Sequence, residues 1–308
     1  MILIKRAPML AMSLLLTLCL ASCAFSPLTQ INEPARVGLL APFEGLYRQN
    51  GYTALASMRH VTDDDAGLWL PVALDTSRGA ERAAQKILAP RNSSAIVGPL
   101  TPAEAADAYP AILGVDIRWL PPFAQVAGTP VPVDSPSWLV SLISEVASGP
   151  AVDLKVSRIA IAGFAPIFTM INMQDLETLL AEQVELPIVW VNEPAALREG
   201  DLLLWLGDAA EGVRFIAQVR ETRPQTRAWL PIWAAGDIFV SHASALPDWR
   251  WQDLLWGGWL PVAEAEDKTL TPTSAESALV NVATLHAIAF DSFTPGEWRF
   301  VTFPMQSE

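Results

Sequence analysis

The chain has 308 residues, 51% of them hydrophobic, enough for two domains with buried cores and too apolar for a disordered chain. Thirty-three acidic residues against 20 basic ones give a net charge of -13 and a pI near 4.7, a field that repels phosphate backbones and anionic membrane surfaces. Nucleic acid is therefore not an expected partner.

MILIKRAPMLAMSLLLTLCLASC opens the chain with Lys5 and Arg6 ahead of an apolar run ending at Leu20. This is the charge-then-hydrophobic order of a secretory signal, and the run is short for a membrane span. Leu20-Ala21-Ser22-Cys23 resembles a bacterial lipobox, in which the cysteine thiol is acylated and becomes the first residue after cleavage. The expectation is a lipoprotein signal peptide over 1–22, export, and a lipid anchor on Cys23. The competing reading is a plain signal with an incidental cysteine. Cleavage also removes Cys19, which leaves Cys23 without an intrachain disulfide partner. Residues 23–35 follow as a tether, without periodicity.

Strands and helices then alternate. Val37 to Leu40 is an unbroken apolar run suited to a buried parallel strand, and Leu55, Met58 and Val61 follow at helical spacing behind Asn50-Gly51. Leu70 to Leu74 is a second strand. Ala80, Ala83, Ala84, Ile87 and Leu88 then define one apolar helix face. Ala95 to Val97 is a third strand. Thr101-Pro102-Ala103-Glu104 combines an N-cap hydroxyl, a proline at the first helical position and a glutamate three residues after the cap. The order βαβαβα implies a parallel sheet with helices on both faces.

The pattern restarts after residue 150. Arg158 to Ala162, Ile188 to Val191, Leu202 to Leu206 and Ala228 to Trp233 read as strands. Helices carrying Met173, Leu176, Leu180 and Val184, and then Val213, Ile216 and Ala217, lie between them. SPSWLVSLI (135–143) reads as a connecting strand between two lobes, and LLWGGWLPV (254–262) as a second crossing. SALVNVATLHAIAF (277–290), capped by Thr273 with Glu276 three residues on, lacks a polar face and is expected to be buried on the first lobe. The predicted organisation is lobe 1 over 36–137, lobe 2 over 138–257, and a return to lobe 1 with a shortened C-terminal end over 258–308.

RVGLLAPFEG with its Gly-led helix, the strand ending at Asp75, AIVGPLTPAEAADAYPAIL, RIAIAG and GDLLLWLGDAAEGVRFIAQVR together resemble type I periplasmic binding proteins. The branch they resemble is the branched-chain amino acid and amide-binding lipoproteins of ABC importers. The resemblance covers most of residues 36–290 and implies an α/β fold of two Rossmann-like lobes with parallel sheets, joined by hinge crossings. It also implies a small-molecule solute held between the lobes, an ABC permease as partner and a membrane-anchored, extracytoplasmic location. Several loops are short, 191–201 is compressed, and DSFTPGEWRFVTFPMQSE stands where the family has a longer ending.

Ligands of parallel α/β sheets sit outside the carboxyl ends of the strands. On that rule Phe43, Glu44, Gly45 and Tyr47 face the cleft, unless Phe43 and Tyr47 merely cover the sheet end. The resemblance adds Leu100, Thr101, Phe123 and Ala124 from the first lobe and Phe168, Asp208 and Asp237 from the second. Thr101 competes with its own role as a helix cap. Relatives that bind free amino acids hold the carboxylate with hydroxyls and helix-start amides. Here Pro102 and Ala103 stand near that run, and Pro102 removes an amide donor. Free amino acids are therefore doubtful ligands, and Glu44, Asp208 and Asp237 favour a neutral or cationic one.

Trp229, Trp233, Trp249, Trp251, Trp256 and Trp259 offer stacking to an apolar or sugar-like ligand, or simply pack. His60, His242 and His286 have no metal-ligand spacing, and there is no Gly-x-Ser-x-Gly elbow or phosphate loop. Asp63-Asp64-Asp65 lacks the further oxygens of a calcium loop and reads as a solvated helix end. No catalytic residue, metal or cofactor is expected. The rival to solute capture is a binding-protein fold that has lost its solute and acts as an envelope interaction module.

Overall fold

The computed structural model describes residues 34–63, 68–90, 92–246, 249, 251–267, 269–288 and 296–305. The expected signal peptide, the lipobox-like run with Cys23, the expected tether up to Glu33, and Asp64 and Asp65 lie outside them.

The first lobe is built on a four-stranded parallel sheet in the order β2-β1-β3-β4, from β1 (Ala35–Ala41), β2 (Trp69–Asp75), β3 (Ser93–Val97) and β4 (Arg118–Leu120). Helices α1 (Arg48–Asp63), α2 (Ala80–Leu88) and α3 (Pro102–Ile112) connect the strands. Alternation along β1 sets the layers. Val37, Leu39 and Ala41 meet Ala54 and Met58 of α1, whereas Leu40 on the opposite face meets Ala80, Ala84 and Ile87 of α2. After β4 comes a small hairpin of β5 (Gln125–Val126) and β6 (Thr129–Pro130).

The second lobe holds six strands in the order β12-β11-β10-β9-β7-β8, from β7 (Arg158–Ala162), β8 (Ile188–Trp190), β9 (Asp201–Trp205), β10 (Arg227–Pro231), β11 (Leu254–Pro261) and β12 (Trp298–Pro304). All pair in parallel except β12, which runs antiparallel to β11. Ile159 and Ile161 face a core with α4 (Ser137–Ser148) and, after the short α5 (Pro150–Asp153), α6 (Met173–Gln183). Ala160 and Ala162 face α7 (Ala209–Thr222) and α8 (Asp237–Ser244). At the base of this sheet Arg158 forks onto Asp201, with N–O distances of 2.9 and 2.5 Å.

Three elements differ from the sequence reading. SPSWLVSLI is the first part of helix α4, not a connecting strand: Leu139, Leu142, Ile143 and Val146 recur at helical spacing and are buried with Trp138. A segment this apolar has no polar face to betray its period, and its twelve residues favour a helix over a strand. LLWGGWLPV supplies β11, a member of the second sheet, and the chain leaves that lobe only after it. WRFVTFP, given no element from sequence, is the edge strand β12 beside β11.

Past α9 (Val262–Ala265), helix α10 (Pro272–Ile288) explains its own missing polar face. Val280, Ala283 and Ala287 join the first-lobe core around β1, and Ala275 and Leu279 join the second-lobe core. Its cap is Thr271, not Thr273: the Ser274 N–H donates to the Thr271 hydroxyl (3.2 Å), and the Thr271 N–H donates to the Ser274 hydroxyl (3.0 Å).

Candidate functional site

Both sheets have a point where the strand order reverses, between β1 and β3 in the first and between β7 and β9 in the second. Loops leaving adjacent strands diverge there and open a crevice at the strand ends. Residues 42–47 and 98–101 border the first crevice, and 163–170 and 206–208 the second. Gly45 has φ +72°, the left-handed conformation that turns the chain from β1 into α1. At Gly51 a Cβ would collide with the Pro42 carbonyl, so only glycine lets the first turn of α1 close onto this loop. That placement presents Tyr47 and Asn50 to their partners.

Across the seam, the Tyr47 hydroxyl donates to Asp208 Oδ1 (3.1 Å) and accepts from the Ala210 N–H (3.3 Å). Asp208 also caps α7 by accepting from the Glu211 N–H at 2.7 Å. Burial, and secondarily the Asp208 carboxylate, push the Tyr47 phenol above its ordinary range, so it remains a neutral donor. Asp237, at the start of α8, accepts from the Thr273 hydroxyl at 2.5 Å. Thr101 accepts from the Glu104 N–H (3.3 Å) and lies 3.4 Å from Glu104 Oε2, so its hydroxyl serves the helix. Glu104 is half-buried, and desolvation raises its pKa against the hydroxyls of Thr76 and Thr101.

Beside these bonds the seam is filled with rings. Phe123 packs on Trp138 and Trp233 at centroid distances of 5.2 and 5.7 Å, and the two tryptophans lie 6.3 Å apart. The space left where these rings meet Gly257, Gly258 and Leu279 is about 20 Å³, room for about one water molecule. Cavities of about 520 to 580 Å³ occur elsewhere: at the base of the second sheet, beside β4, and along β2.

The predicted site residues thus separate. Tyr47, Asp208, Phe123 and Asp237 meet partners at or near the seam. Phe43 is half-buried with its ring edge-on to Tyr52, and Glu44 is exposed and paired with Arg78 at 2.8 Å. Gly45 is exposed; Leu100 and Ala124 are core residues with no surface to offer. Phe168 lies tilted on Phe164 and edge-on to Trp190, in the turn Ile167–Thr169 that contacts α3 of the first lobe. Trp138, Asn50 and Glu276 are not among the residues expected at the site, Asn50 and Glu276 reading only as helix-start signals; Asn50 donates to Glu276 Oε2 at 3.0 Å. Of the tryptophans singled out from sequence, Trp229 and Trp256 are core, Trp249 and Trp251 pack together, Trp259 donates to the Ser141 hydroxyl at 3.2 Å, and Trp233 reaches the seam.

No protein-family model matches the sequence, and no curated protein matches it. Solved structures do match. The branched-chain amino acid transporter substrate-binding protein LivJ from Streptococcus pneumoniae, in complex with isoleucine, superposes with a TM-score of 0.54 at 13% identity, covering 82% of this chain and 83% of its own. The leucine-binding protein LivK from Thermotoga maritima gives 0.56 at 11% identity over 83% and 81%. A possible leucine/isoleucine/valine-binding protein from Rhodopirellula baltica gives 0.54 at 12% over 87% and 84%. The chain has the type I periplasmic binding protein fold. In this chain the loops after β1 and β9 are joined by the Tyr47–Asp208 bond, beside the Phe123 ring cluster. Among the described residues no helix is long and apolar enough to cross a membrane.

Proposed function

We propose that this chain is an extracytoplasmic, lipid-anchored protein on a binding-protein fold, held shut by its own side chains, which works by contact with another envelope protein and catalyses no reaction. The observation that carries this reading is the state of the seam. The polar groups best placed to hold a solute, namely the Thr101 hydroxyl, the Asp208 and Asp237 carboxylates and the Ala210 N–H, are each bonded within the protein. Admitting a solute requires breaking such bonds, at about 0.5–1.5 kcal/mol net each, and parting three rings whose pair contacts each add about 0.5–1.5 kcal/mol. The lipid anchor is supported by the order of Lys5, Arg6, the apolar run and Cys23.

Solute capture for an ABC permease is the second reading, favoured by the fold shared with LivJ and LivK. It requires the lobes to part and each seam bond to be exchanged for a ligand bond. Thermal melts of the full chain separate the two. A ligand at 100 times its Kd adds about 2.7 kcal/mol, roughly 5 °C in a chain this size. We expect leucine, isoleucine and valine at millimolar concentration to shift the melt by less than about 1 °C. A shift of several degrees that Asp208→Asn removes would establish solute capture instead.

A further inference from the structure

Strand β2 ends the first sheet, paired with β1 on one side only. Two hydrogen bonds fix which way its backbone faces. The Leu68 carbonyl accepts from the Ala35 N–H, and the Thr76 N–H donates to the Ala41 carbonyl, both at 3.0 Å. Even-numbered positions therefore point at β1, and by the two-residue period Trp69, Pro71, Ala73 and Asp75 point their backbone groups outward. Pro71, which has no N–H to offer a neighbour, occupies one of the outward positions.

A cavity of about 560 Å³ runs along this edge, with Ala73 to Asp75 as its floor. One wall is apolar and aromatic: Tyr52 and Leu55 of α1, with Tyr52 half exposed and edge-on to Phe43. The other wall is cationic: Arg82 and Lys86, one turn apart on α2. Arg78, just before α2, is paired with Glu44, but Arg82 and Lys86 have no ion pair among the described residues. Glu44 and Asp75 also line the cavity, against Arg78, Arg82 and Lys86, so the groove is net positive by one in a chain of net charge -13, with the excess on the α2 wall.

We propose that the open edge of β2 docks an extended segment of a partner protein as an added strand, its apolar side chains facing Tyr52 and Leu55 and its acidic ones facing Arg82 and Lys86. Side chains of a strand alternate between two faces, so the two unlike walls select an alternating apolar and acidic sequence, while the outward Ala73 N–H and C=O supply main-chain bonds. A second copy of this chain is a poorer occupant, because pairing of two β2 edges about a two-fold axis brings the α2 cations of both copies together. The inference rests on the reading that the chain works by protein contact, and it names the surface.

The test is fluorescence anisotropy of the full chain with a fluorescein-labelled decapeptide alternating valine and glutamate. A decapeptide of the same composition in two blocks is the control. The alternating peptide should saturate and the block peptide should bind at least about ten-fold more weakly. Arg82→Glu with Lys86→Glu should weaken the alternating peptide about ten-fold or more. Ala73→Pro should do the same with the cations in place, because it removes an outward N–H at a position where edge proline is tolerated; circular dichroism checks that it folds. If Ala73→Pro does not fold, the charge-reversed variant and the block peptide still decide.

Equal binding of both peptides, binding untouched by charge reversal, or binding untouched in a folded Ala73→Pro protein overturns the proposal. So does absence of saturation, with or without a dimer in sedimentation. Failure of the peptide with a melt unmoved by leucine removes this surface alone; failure together with a leucine shift removes the protein-contact reading as well.

Discussion

Glu276 offers a direct reading of how the seam responds to pH. It lies on α10, buried, with Asn50 Nδ2 at 3.0 Å from its Oε2. Desolvation first, then the nearby Glu104 and Asp237, push its pKa up to about 8 against the downward pull of the Asn50 hydrogen bond. In the unfolded chain the group titrates near 4.5. Between those values the folded state holds a proton that the unfolded state has lost. The stabilisation is therefore fully present below about pH 4.5 and is lost as pH rises through about 8. One such proton changes stability by about 1.4 kcal/mol per pH unit, and the whole window sets an upper limit of about 5 kcal/mol.

Glu276→Gln keeps the shape and an oxygen for Asn50 but cannot ionise. Glu104, whose pKa burial also raises, is coupled to Glu276, so Glu276→Gln also relieves Glu104 of a neighbouring charge at high pH and adds to the variant's advantage there. We expect the two proteins to melt within about 2 °C of each other at pH 5, and the variant to melt at least about 3 °C higher at pH 8.5, from roughly 2 °C per kcal/mol. Parallel melting curves across pH 5 to 9, measured by circular dichroism at fixed ionic strength, would refute the assignment of a buried protonated carboxyl.

Tyr47→Phe removes one donor and one acceptor at the seam; we expect a loss of about 1–2 kcal/mol and a larger radius of gyration in small-angle scattering, and an unchanged radius would show that other contacts hold the lobes shut. Asp201→Ala leaves the Arg158 guanidinium, whose side chain is 15% exposed, without its carboxylate. The cost should be about 3 kcal/mol in urea unfolding, and a loss below about 1 kcal/mol would mark the pair as effectively solvated. Cys23→Ala should move the protein to the soluble fraction or leave its signal uncleaved; unchanged membrane retention with a cleaved signal would exclude the thiol as the anchor.

Much of the fold is legible locally because each half-buried element carries its own period. Leu70 to Leu74 falls within β2, and the Ala80, Ala83, Ala84, Ile87 face is the buried side of α2. Elements buried on every side lose that signal. In α4, Trp138, Leu139, Val140, Leu142 and Ile143 are all buried, so its first turns look like an apolar strand. The α10 cap fails for another reason. Thr271 and Thr273 each have a polar residue three positions on, and only the reciprocal Thr271 and Ser274 bonds choose between the registers.

The seam was legible as a set of loops and not as a set of bonds. Its place after the first strand nominates Tyr47, and the family resemblance nominates Asp208. Their pairing spans 161 positions of sequence and leaves no local trace. The same holds for Phe123 and Trp233, whose contact depends on where α4 carries Trp138. One sequence feature does bear on the filled cleft. An anion site at the start of α3 needs unengaged donors, but Pro102 has no N–H and the Thr101 hydroxyl meets the Glu104 N–H. A seam closed by rings can tolerate few unpaired hydroxyls, since each buried without a partner costs about 1–3 kcal/mol. The thin carboxylate clamp in the sequence and the Phe123, Trp138 and Trp233 cluster in the structure therefore follow from one requirement: a cleft that stays closed without a ligand has to satisfy its own polar groups.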